Sequence, residues 1–69
     1  MTPRQFFNAN DADRVKEVAE GAGTNFANFR LIALYNGACS KRLAKLLSES
    51  SGGDMSLEEI LFPEDFEAA

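Results

Sequence analysis

Apolar and polar positions follow a helical period along this chain, cut into short lengths by turn residues. Val15, Val18, Ala19 and Ala22 recur at i, i+3, i+4 and i+7, which makes one buried stripe. Phe26, Phe29, Ile32 and Ala33 fall on or near one face of the next segment, and Asn28, Arg30, Leu31 and Leu34 fall largely elsewhere. Leu43, Ala44, Leu46 and Leu47 form a further stripe, with Lys41, Arg42 and Lys45 pointing away from it. Phe6 and Phe7 supply apolar contacts near the start. No stretch shows the period of two that a half-buried strand needs, and there is no internal repeat. The pattern predicts an all-α fold, a compact bundle of five short helices.

The punctuation agrees with that division. Thr2-Pro3-Arg4-Gln5 opens a first helix with a cap, a proline at the first helical position and a capping-box glutamine. That helix is expected to end near Ala9. Asn10 or Asp11 caps the second, with Asp11 and Asp13 where the helix dipole favours negative charge. Gly21-Ala22-Gly23 closes it, Gly23 supplying the left-handed residue. Thr24 or Asn25 caps the third helix and Asn36-Gly37 stops it; Ser40 caps the fourth. Ser48 to Gly53 reads as a polar, flexible break. Ser56 and Glu59 form a second capping box, and Met55 with Ile60 matches a hydrophobic staple. Pro63 ends the fifth helix. Residues 1–63 thus make one domain, and 64–69 an acidic, frayed tail from which Phe66 folds back onto the core.

Length sharpens this picture. A 69-residue chain hides only about 60% of the surface its unfolded form exposes, so its stability is marginal and it leans on further support. One cysteine, Cys39, excludes a disulfide framework, and with no histidine a zinc site has no ligand set. That leaves self-association as the expected support. No apolar run approaches the roughly 20 residues that cross a bilayer, and no apolar signal core follows the first residues. The expectation is a cytoplasmic protein with a reduced thiol. No cofactor is implied, and no arrangement of catalytic or metal-binding residues is present. The carboxylates sit at helix starts and in the tail, where capping accounts for them.

Charge separates along the chain more than the net value of −4 suggests. Residues 1–48 hold all seven basic side chains against four acidic ones, and residues 49–69 hold seven acidic and no basic ones. Between 21 and 48 the only charges are Arg30, Lys41, Arg42 and Lys45. The middle of the chain is suited to approach a polyanion and the tail is not.

The segment from Val18 to Ile32 carries the spacing of a helix-turn-helix. Ala19 is the small residue where a second helix crosses closely. Gly23, four positions on, is the turn residue with positive φ, and Phe29, six further, is the large apolar plug between the helices. In such a unit the second helix enters the DNA major groove. With the opening Met1-Thr2-Pro3-Arg4-Gln5-Phe6-Phe7 and the ending Gly52-Gly53-Asp54-Met55-Ser56-Leu57-Glu58-Glu59-Ile60, the chain resembles the Cro-like, lambda-repressor-like phage and prophage regulators, most closely the YdaS-type antitoxin group. The resemblance covers roughly residues 2–63. It implies sequence-specific binding to a double-stranded operator as a homodimer, with no membrane association and with a toxin or repressor as a possible protein partner. It places Asn25, Ala27, Asn28, Arg30 and Leu31 on the face turned to DNA. Lys41 and Arg42, joined by Lys45, Arg14 and Lys16, are then candidates to hold flanking phosphates.

The chain departs from that group at Leu31, where a polar base-reading residue is usual, at apolar Leu34, and in the uncharged segment Tyr35-Asn36-Gly37-Ala38-Cys39-Ser40. Leu31, Leu34 and Tyr35 would then form an exposed apolar set. These departures favour an alternative: the same fold without DNA binding, serving as a protein-interaction module such as an anti-repressor or partner inhibitor. For Phe26 a core position is expected, and for Cys39 an inert, partly buried one.

Overall fold

A computed structural model describes residues 1–35 and 39–66; the expected stop at Asn36-Gly37, the adjoining Ala38 and the last three positions lie outside the described residues. Among the described residues five α-helices follow one another: α1 (Pro3–Ala9), α2 (Ala12–Gly21), α3 (Phe26–Tyr35), α4 (Lys41–Ser50) and α5 (Leu57–Leu61), with a 3-10 turn at Pro63–Asp65. There is no strand among the described residues.

The caps decide where each helix begins. Thr2 and Gln5 form a reciprocal capping box at α1, and Ser56 with Glu59 does the same at α5. Asp11 accepts from the Arg14 amide and Ser40 from the Leu43 amide. Asn25, not Thr24, caps α3: its Oδ1 accepts from the Asn28 amide at 2.8 Å. At the other end of α2 the Gly23 amide donates to the Glu20 carbonyl and the Thr24 amide to that of Ala19, each at 3.0 Å. That paired closure requires a left-handed residue, and Gly23 has φ +86°.

The core is built by Phe6, Val15, Val18, Ala19, Ala22, Phe29, Ala33, Ala44, Leu47, Met55 and Ile60. Phe29 is fully buried and meets the Phe6 ring edge-on, centroids 6.2 Å apart. α1 packs on α3, and α2 packs on both α3 and α4, while α5 closes the far side against α4. Phe26 is half-buried against Phe7, ring centroids 5.8 Å apart. The staple residues Met55 and Ile60 are both buried. α2 and α4 approach closely at Gly21, where a Cβ would stand 2.5 Å from Ser50 Oγ. That hydroxyl donates to the Val18 carbonyl at 2.8 Å, tying α4 to α2.

Three expectations need correction. Leu46, placed on the buried stripe of α4, is exposed; Ala44 and Leu47 form the inner face with Leu43 at its margin. The reason is angular, since Leu46 lies more than a quarter-turn from the line between Ala44 and Leu47. The break expected from Ser48 is ordered structure. α4 continues to Ser50, and buried Ser51 then donates from its hydroxyl to the Ser48 carbonyl (3.0 Å) and accepts from the Met55 amide (3.2 Å). Those bonds replace the backbone partners lost where the helix stops. Phe66 does not return to the core and remains 48% exposed.

Two long ties close the bundle. The Met1 ammonium bonds the Asp54 carbonyl and the Glu59 carboxylate, the latter at 2.8 Å. That ammonium foremost, and then the Ser56 amide, hold the Glu59 carboxyl below its usual range near 4.5. Because the folded-state value is depressed, the contribution is complete above the unfolded value and disappears as pH falls through the folded one. Glu59→Gln is therefore expected to lower the melting temperature at pH 7, by no more than about 1 kcal/mol of stability. The difference from the unmodified protein should vanish in melts taken progressively below pH 4.5. A difference that persists when Glu59 is protonated would assign the effect to packing.

Candidate nucleic-acid interface

The outer side of α3 is set by its inner side. Phe29, Ile32 and Ala33 are buried. Ala27, Arg30 and Leu31 consequently face outward, and Leu31 is 50% exposed. Leu34 lies at the boundary, packed against the core, and Tyr35 is 62% exposed at the last turn. The apolar set expected at 31, 34 and 35 is thus exposed at Leu31 and Tyr35.

Polar groups at the start of α3 are partly committed. Asn25 is exposed and spends its carbonyl oxygen on the helix cap. Asn28 Nδ2 donates to Thr24 Oγ1 at 2.8 Å, which leaves the side chain its oxygen and one further N–H to offer. Arg30 lies with its guanidinium carbon 5.7 Å from the centroid of the Tyr35 ring. A cation held over an exposed ring gains roughly 0.5–1 kcal/mol, little enough for an anion to draw it away.

On α4, Lys41, Arg42 and Lys45 are exposed, and among the described residues none of them forms an ion pair. Lys41 and Arg42 occupy the first turn, which holds no acidic residue. Helix stability favours the opposite arrangement, because the N-terminal end of the helix dipole is already positive. The first turn of α4 therefore concentrates positive potential at a helix N-terminus, an arrangement suited to phosphate. No hydrogen bond or ring contact joins these α4 cations to the α3 candidates among the described residues.

Two other basic side chains are engaged inside the molecule. Arg14 stands over the Phe6 ring, bonds Glu17 at 3.2 Å, and reaches the Ser51 carbonyl and the Asp54 carboxylate at 3.5 and 3.9 Å. It joins α2 to the turn before α5, which ties its guanidinium to internal partners. Arg4 was no part of the expected site. Its Nη2 donates to the Leu34 carbonyl at 3.0 Å and its Nε to that of Ala33 at 3.5 Å. This cation from α1 completes the C-terminal end of α3, where unpaired carbonyls and the helix dipole both favour positive charge. No local sequence signal marks it, because the partner carbonyls lie 29 and 30 residues away. Lys16 is exposed on α2.

Cys39 is half-buried, and burial pushes its thiol pKa up, which disfavours the thiolate. Among the described residues, no group of His, Cys, Asp or Glu is placed to hold a metal ion, and no helix is long and apolar enough to cross a membrane. Comparison of the chain with protein-family models, curated proteins and solved structures finds no match.

Proposed function

We propose that this protein is a sequence-specific DNA-binding regulator of the Cro-like type that reads an operator through α3. In this reading α2, the Gly23 turn and α3 act as a helix-turn-helix. α3 lies in the major groove with Asn25, Ala27, Asn28, Arg30 and Leu31 toward the bases. Lys41 and Arg42, with Lys45, hold phosphate. The observation that carries it is the pair of cations in the first turn of α4, which form no ion pair among the described residues, an arrangement that helix stability disfavours and an anionic ligand rewards. The resemblance to phage and prophage regulators, including the antitoxin group, points the same way.

The test is a fluorescence-anisotropy titration of DNA flanking the protein's own gene against scrambled DNA, repeated over a range of salt. Lys41→Ala should weaken binding to both DNAs alike and flatten the plot of log K against log salt by about one unit. Folded protein that binds neither DNA at low salt would refute the reading.

A second reading has its own support: Leu31 and Tyr35 put apolar surface where a base reader carries polar groups. On that reading the domain binds a protein, and the same titration decides between them.

A further inference from the structure

Two exposed apolar clusters stand out, and each is flanked by charge of one sign. The first is the outer stripe of α3, Ala27, Leu31 and Tyr35, spaced by four and accompanied by Arg30. The second follows α5: Phe62 is 53% and Phe66 48% exposed, four positions apart around the 3-10 turn, with exposed Glu64 and Asp65 between them. From residue 21 to residue 48 there is no carboxylate side chain, and from 49 onward no basic one.

We propose that the segment Phe62–Phe66 of one copy docks on the outer face of α3 of a second copy, a head-to-tail contact. Charge selects this pairing. Setting α3 against α3 would bring Arg30 toward its own image, and setting tail against tail would oppose Glu64 and Asp65 to themselves. Only α3 against tail joins opposite charges around apolar centres. Within one chain the 3-10 turn packs on α5 and leaves both phenyl rings outward. A chain this short gains from covering such surface. The contact is heterologous, so a dimer keeps one free α3 face at one end and one free tail at the other, and association continues into short open chains. It occupies the surface assigned above to DNA, but the self-contact stands without DNA.

Sedimentation equilibrium of the purified chain, with no DNA present, tests it. The wild-type weight-average mass should rise with concentration, and less so at about 0.5 M salt, where opposite charges are screened. Leu31→Asp and the double variant Phe62→Ser/Phe66→Ser should each be monomeric. Mixed one to one, they should form a dimer, since one contributes an intact tail and the other an intact α3 face. All these positions are exposed, and circular dichroism verifies that the variants are folded. Glu64→Lys/Asp65→Lys, which keeps both rings, should weaken the self-association at least about tenfold. A wild-type chain that stays monomeric up to about 1 mM, association that survives in both variants, or a mixture that remains monomeric would each overturn the proposal.

Discussion

Phe29→Ala is expected to remove about 3–5 kcal/mol of folding stability. A chain of 69 residues holds roughly 3–10 kcal/mol in total, so the loss is a large share of it and the denaturation midpoint should fall steeply. The size of the effect follows from position. Phe29 is fully buried, its ring abuts Phe6, and it belongs to α3, which packs on both α1 and α2. Truncation leaves a cavity that these short helices close only in part, and it forfeits the edge-to-face ring contact as well. Urea denaturation followed by circular dichroism measures the loss. Leu31→Ala, two positions away and half exposed, is the control and should change stability by about 0.5 kcal/mol or less. Equal losses at the two positions would mean that α3 is not oriented as described.

Arg30→Ala should reduce the preference for operator over scrambled DNA by about 10–100-fold, the range for losing one bidentate contact to a base. The melting temperature should barely change, because the contact that holds the Arg30 guanidinium among the described residues is the exposed Tyr35 ring. Specificity is the readout that matters. If affinity for both DNAs falls equally, Arg30 contacts phosphate and the recognition surface of α3 is reduced to its asparagines and apolar residues. The contrast with Lys41→Ala, where uniform weakening is expected, separates reading from holding.

These two predictions rest on different kinds of information. Phe29 was legible as a core residue from spacing alone, because its distance from Ala19 and Gly23 and its place in the apolar repeat agree. The site was legible as a set of residue types on α3 and α4. What each side chain has left to offer was not. Asn25 spends its oxygen on a cap, Asn28 is held by Thr24, and Arg14 is engaged by Phe6, Glu17, Ser51 and Asp54. Competition between an internal partner and an external ligand is invisible until the partners are brought together.

Sequence alone determined the five helices, their caps to within one residue, the Gly23 bend and most of the core, because each depends on residues within about one or two helical turns of one another. Only the tertiary structure decided that Arg4 would finish α3, that Ser50 would tie α4 to α2 beside Gly21, and that the Met1 ammonium would reach Glu59. It also decided that Leu46 and Phe66 would stay outside. Those outcomes depend on which helix faces meet and how closely, and that is set by packing the whole bundle together, not by any one segment's own periodicity.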